Sequence, residues 1–206
     1  DDHLKAFQSS TVPIVLCATS DEKRSVPSVD IDHELAAYDA VRALIERGHR
    51  KIGMISGTLE DLTQNFMRFQ GYRRALEEAG LEFREEYVRI GNSRYESGIE
   101  VMNYFLQLPD RPTAILAAND EMAIGAIHTM QDNGLSVPGD ISIIGIDNVR
   151  IASMVRPRLT TVAQPMYDIG AVSMRLLTKL MKNEHVEEPR VILPHELILR
   201  DSVGTV

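Results

Sequence analysis

Apolar residues along this chain fall into two rhythms. Short apolar runs such as IVLCA, IGMIS and ISIIGI read as strands, and between them apolar positions return every three or four residues, as on one face of a helix. Pro13 to Ala18 and Val26 to Ile31 are predicted as the first two strands. Asp32 can cap the next helix, with Leu35, Ala36, Val41, Leu44 and Ile45 as its apolar face and Gly48 as its stop. Lys51 to Ser56 reads as a buried strand, and Gln64 to Ala79 as a helix ended by Gly80. Tyr87 to Ile90, Thr113 to Ala118 and Ile141 to Ile146 are further strands, separated by helices over Tyr95 to Leu108 and Asp120 to Asn133. A last helix, Met166 to Met181, precedes an extended segment from Val191 to Arg200. This alternation predicts an α/β fold of βαβ units, a doubly wound parallel sheet with helices on both faces. The carboxyl side reads as one complete lobe. The amino side offers only a short helix, Asp2 to Gln8, and two strands before Asp32, too little to cover a sheet.

Composition narrows the class. The chain has 206 residues, 44% of them hydrophobic, 5% aromatic and none tryptophan, so the core is expected to be aliphatic. No apolar run approaches the ~18–20 residues that span a bilayer. Asp1, Asp2 and Lys5 around isolated apolar residues do not read as a secretory signal. Cys17 is the single cysteine, expected as a buried strand thiol, and a reducing cytoplasm suits a chain with no disulfide. The net charge of −8 argues against a broad nucleic-acid-binding face, since such affinity comes from Lys and Arg neutralising phosphates.

No catalytic motif is present: no GxGxxG, no phosphate loop ending in Gly-Lys-Ser/Thr and no GxSxG elbow. His33-Glu34 and His195-Glu196 begin like zinc helices, but Ala37 and Leu199 stand where the second histidine is needed. His3, His49, His128 and His185 lack ligand spacing. The chain therefore reads as a non-enzyme without a metal site.

Ligand-binding candidates are more numerous. Arg68, early in a helix that follows a strand, is either a solvated helix arginine or a guanidinium clamp for a carboxylate, phosphate or vicinal hydroxyls. Asp147, with Asn148 beside it, ends a strand at the edge where open α/β sheets bind ligands, or else caps the following turn. Asn119, at another strand end, is a helix cap or a ligand contact; Gln164 is a further candidate. On the last helix Ile169, Val172, Leu176, Leu177 and Leu180 are spaced to face the core. Tyr167, Ala171, Met174, Arg175, Thr178, Lys179 and Lys182 fall on the other side. Arg175 and Lys179, one turn apart, can converge on one anion of a protein partner, or can be a solvated face beside a helix carboxyl end.

Two stretches, VPGDISIIGIDN and VRPRLTTVAQPMYDIGAVSMRLLTKLMK, resemble the lac-repressor (LacI/GalR) family of bacterial regulators, and the second resembles its members acting in carbon catabolite repression. The resemblance covers nearly the whole chain. It implies a two-lobed, periplasmic-binding-protein-like (type I) core with three crossovers: residues 1–31 and 166–190 in an incomplete amino-terminal lobe, and residues 32–165 and 191–206 in the other. A further strand-helix-strand unit and a DNA-reading helix-turn-helix domain would lie upstream. Arg68 matches the family's effector-holding position, and Asp147 the aspartate that holds sugar or purine hydroxyls. Many members place an aromatic platform where this chain has Ser93, with Tyr95 as a partial substitute or a packing residue. That departure favours a phosphorylated sugar, of the glucose 6-phosphate or fructose 1,6-bisphosphate type, over a stacked ring. In the catabolite-control members, positions matching Tyr167, Arg175 and Lys179 receive the serine-phosphorylated carrier protein HPr, and Met174 and Thr178, on the same face, are expected to join that contact. The implied protein is a cytoplasmic homodimer that contacts operator DNA through the upstream domain and touches no membrane. Two rivals are a repressor answering only to a small sugar or nucleoside, and a periplasmic sugar-binding protein.

Overall fold

The computed structural model describes residues 12–19, 26–59 and 64–206. The helix expected over Asp2 to Gln8 lies outside the described residues. The chain divides into a smaller unit, Asp1–Asp32 with Pro165–His195, and a larger one, His33–Gln164 with Glu196–Val206.

The larger unit carries strands β3 (Ile52–Ser56), β4 (Val88–Ile90), β5 (Ala114–Ala117), β6 (Ser142–Asp147), β7 (Thr160–Ala163) and β9 (Glu196–Ile198) in the order β4-β3-β5-β6-β7-β9. All neighbours are parallel except β7 and β9. Helices α1 (His33–Glu46) and α2 (Gln64–Glu78) pair with each other, as do α3 (Tyr95–Gln107) and α4 (Asp120–Asp132). Ile55, Ile115, Ala117 and Ile143 join Val101, Met102, Phe105, Met122, Ile124 and Ile127 in one buried cluster, which places α3 and α4 on one face of the sheet. The parallel, doubly wound α/β reading is the observed one. The face of α1 differs from the sequence pattern: Ala36, Ala37, Ala40, Val41, Ala43 and Leu44 are buried, whereas Leu35 is 40% exposed. Small residues do this because α1 and α2 cross closely. A Cβ at Gly71 would land on the Glu34 carbonyl oxygen.

The α3–α4 contact is similarly close. A Cβ on Gly98 would overlap the Met122 carbonyl oxygen, and one on Gly125 the Tyr95 carbonyl oxygen. Backbone atoms cannot swing aside as a side chain can, so the helices would have to separate and unpack Met102 and Phe105. Gly98→Ala is expected to lower stability by roughly 1–3 kcal/mol, read as a fall in the urea midpoint at unchanged slope.

Strand β7 is absent from the sequence reading. It is almost wholly buried yet begins with two threonines, a pattern that hydropathy does not mark. Their hydroxyls are used internally: Thr160 accepts the Arg200 N–H (2.9 Å), and Thr161 donates to Asp120 (2.6 Å). The extended segment 191–200 resolves into two strands in different sheets. β8 (Arg190–Leu193) pairs in parallel with β2 (Ser28–Ile31) in the smaller unit, and β9 pairs with β7 in the larger one. Residues 191–193, assigned from the sequence to the larger lobe, are thereby held in the smaller unit.

In the smaller unit the parallel order is β1 (Leu16–Cys17), β2, β8. β2 is buried along its length, and α5 (Met166–Met181) packs against β1 and β2. Cys17 is exposed, not buried, because β1 is a two-residue strand at the sheet edge. Among the described residues no helix is long and apolar enough to cross a membrane.

Candidate functional site

The parallel strands of the larger unit all end on one side, where peptide groups leave the ladder and become available to ligands. Asp147 is the last residue of β6, and Gln164 follows the end of β7. Gln164 Nε2 donates to Asp147 Oδ1 at 2.7 Å. Arg68, on the second turn of α2 and only 5% exposed, reaches the same oxygen with Nη2 at 3.8 Å, an ion pair beyond hydrogen-bond reach. Its Nη1 donates to the Ala118 carbonyl at the end of β5 (2.5 Å), and Nη2 lies 3.3 Å from His33 Nδ1. Three strand ends and the starts of two helices thus meet around one guanidinium and one carboxylate.

Burial dominates the charge state of Asp147 and raises its proton affinity; Arg68, the Gln164 amide and His33 pull the other way without reversing it. The backbone there is unusual too. Asp147 has φ 114° and Asn148 φ 53°, a left-handed pair that costs energy and is tolerated best by Asp and Asn. A carboxylate with one oxygen held by an amide, beside a fork-shaped cation, can accept sugar hydroxyls while the guanidinium takes phosphate or hydroxyl oxygens.

The other candidates lie differently. Asn119 caps α4: its Oδ1 accepts the Met122 N–H (2.9 Å) and its Nδ2 donates to the Ser93 carbonyl (2.8 Å). Ser93 is exposed, with φ 65°. Tyr95 packs on the core cluster with its hydroxyl 2.8 Å from His128 Nδ1, so it does not join Arg68 and Asp147. Sequence reasoning overlooked His33, weighed only as a metal ligand, and Asp120, read only as the first residue of a helix. The doublet Asn119-Asp120 was the available signal, since one cap satisfies a helix start. Among the described residues no group of three or more His, Cys, Asp or Glu side chains could hold a metal ion.

In the smaller unit α5 buries Ile169, Ser173 and Leu176 and half-buries Val172, Leu177 and Leu180. Tyr167, Ala171, Met174, Arg175, Thr178, Lys179 and Lys182 are all exposed, Tyr167 to 87%. The Thr178 hydroxyl, between Arg175 and Lys179 on this face, donates to the Met174 carbonyl one turn back (2.8 Å).

Over residues 41–203 the sequence matches the family described as the periplasmic binding protein-like domain. The chain belongs to this family. Its similarity runs to the LacI-type regulators within it. Catabolite control protein A of Priestia megaterium is 50% identical over 202 residues, 98% of this chain and 61% of that protein. The crystal structure of the transcription regulator CcpA of Lactococcus lactis superposes with a TM-score of 0.92 at 41% identity, covering 98% of this chain and 74% of that one. A sugar-binding LacI-family regulator of Escherichia coli, solved in complex with phosphate, gives 0.86 at 28% identity, over 100% and 72%. The chain spans about three-fifths of the length of the curated relatives it matches.

Proposed function

We propose that this chain is the sensing core of a LacI-family transcription regulator of carbon catabolite repression. A serine-phosphorylated carrier protein, HPr, docks on the exposed face of α5, and a sugar phosphate binds at Arg68, Asp147 and Gln164. The regulator acts as a homodimer and reads operator DNA through a helix-turn-helix domain, not through this acidic chain. The observation that carries this reading is the α5 face. Two bases one turn apart stand beside an almost fully exposed tyrosine and an exposed methionine, a surface suited to a phosphoserine dianion ringed by apolar contact. Similarity to catabolite control protein A supports the same assignment, and the phosphate complex of the Escherichia coli relative supports the anion site. For control, the partner must bind one conformational state better than the other; a coupling of ~1–3 kcal/mol changes operator affinity about 5–150-fold.

Calorimetric titration with phosphorylated and unphosphorylated HPr tests the partner. The expected result is tighter binding of the phosphorylated form. Equal binding of both would leave α5 a solvated face and favour a repressor that answers to a small sugar or nucleoside alone. At the small-ligand site, Asp147→Ala is expected to weaken binding of glucose 6-phosphate or fructose 1,6-bisphosphate about 10–150-fold, the loss of a charged hydrogen bond. Unchanged affinity would return Asp147 to a turn-capping role.

A further inference from the structure

Asp120 is completely buried at the start of α4, where Asn119 already caps the helix. Both oxygens of its carboxylate are spent outside the helix. Oδ1 accepts the Thr161 hydroxyl of β7 (2.6 Å), and Oδ2 accepts the backbone N–H of Val149 (2.8 Å). The same Thr161 oxygen accepts the N–H of Asn148 (3.2 Å). Two consecutive amides of the turn after β6 therefore hang on one carboxylate, the first through a hydroxyl and the second directly. Arg200 closes the far side: it donates to Asn148 Oδ1 (2.6 Å) and to the Leu159 carbonyl (2.7 Å). The peptide groups so held follow Asp147 and flank Asn148, the left-handed pair, a conformation that persists only where its surroundings over-determine it. Gly145 belongs to the same design, since a Cβ there would overlap Asp120 Oδ1.

We propose that Asp120 is a positioning residue for the small-ligand site: ionised, it holds the Asp147–Asn148 turn in the conformation that presents the Asp147 carboxylate, and protonated, it loosens that hold. The functional half rests on the reading that Asp147 contacts a sugar phosphate. An ionised carboxylate only accepts hydrogen bonds, which suits two incoming donors. A proton on it is a third donor between them, and the Thr161 hydroxyl must turn away to receive it. The groups facing Asp120 set the balance. Burial is the largest influence and opposes ionisation; the Thr161 hydroxyl, the Val149 amide and the Arg200 guanidinium favour it; the Asp147 charge opposes it. The outcome is a carboxyl pushed up to about 7, inside the range where a change of pH acts on the turn.

Two measurements test this on the protein with Asp120→Asn, Thr161→Val and the conservative Thr161→Ser. In the first, amide NMR shifts of Asn148 and Val149 are followed from pH 5 to 9. The wild type should show a common midpoint near neutrality that disappears in Asp120→Asn. Thr161→Val should uncouple Asn148 while Val149 still titrates, and Thr161→Ser should restore both. In the second, calorimetry with glucose 6-phosphate compares wild type and Asp120→Asn at pH 8 and pH 6. The ligand's own titration is common to both proteins, so the expected signature is a gap of about tenfold at pH 8 that closes at pH 6. Unchanged titration of both amides in Asp120→Asn, or equal affinities at both pH values, would overturn the proposal. If wild type binds no sugar phosphate at all, the proposed effector fails separately, and the NMR arm alone decides whether Asp120 governs the turn.

Discussion

Arg68→Ala is expected to lower stability by roughly 3 kcal/mol and to weaken sugar-phosphate binding on the order of 100-fold. The stability loss follows from burial. Removing the guanidinium leaves the Ala118 carbonyl without its 2.5 Å donor and Asp147 without the cation that opposes its desolvation. The binding loss follows because no other side chain in the group supplies a paired donor fork. Arg68→Lys separates the two effects. It keeps the charge that faces Asp147 but cannot bond Ala118 and a ligand at once, so stability should recover more than affinity. Urea unfolding and calorimetry on the same preparations read both quantities. A variant with wild-type stability and affinity would make Arg68 an ordinary helix residue.

Stability should fall as pH rises from about 4 to about 7, by an amount on the order of 3–4 kcal/mol traceable to Asp120. Folding raises this carboxyl to about 7. Across that window the native state keeps a proton that the unfolded chain has released, and stability declines wherever the native state binds more protons. Asp147, also raised by burial, adds in the same direction. Asp110, Asp140 and Asp201 are lowered by hydrogen bonds and ion pairs, so their contribution has the opposite sign and is lost in acid, as pH falls through their depressed values. Asp120→Asn should flatten the midpoint-versus-pH curve between 4 and 7 and exceed wild-type stability at pH 8. An identical slope in variant and wild type would show that Asp120 does not carry the linkage.

The alternation of apolar runs and helical faces made the larger unit legible, because central parallel strands such as IGMIS and SIIGID are buried on both faces and advertise it. β7 was not legible, since Thr160 and Thr161 are buried by virtue of hydrogen bonds to distant residues, and periodicity carries no record of a partner. The segment 191–200 was visibly extended, but its division between two sheets depends on tertiary pairing. The site shows the same limit. Arg68, Asp147 and Gln164 each stood out at an element boundary, and the fold brings them together. What places Arg68 was hidden, because Ala118 and His33 are fifty and thirty-five residues away in sequence. Tyr95, a candidate by position, is drawn to His128 by a hydrogen bond and an edge-to-face ring contact. The exposed face of α5 was the most legible feature, because helical spacing alone separates Ile169 and Leu176 from Tyr167, Arg175 and Lys179.

The most direct measurement is the gain in HPr affinity on serine phosphorylation, determined with wild type, Arg175→Ala and Lys179→Ala. These side chains are exposed, so as plain surface positions their replacement would change stability by less than ~0.5 kcal/mol and partner binding not at all. The expected result is a clear gain for wild type, most of it lost in Arg175→Ala and part of it in Lys179→Ala, with unfolding midpoints unchanged. A wild type that does not distinguish the two forms of HPr, or a gain that survives Arg175→Ala intact, would contradict the assignment of α5 as the phosphoprotein-docking surface.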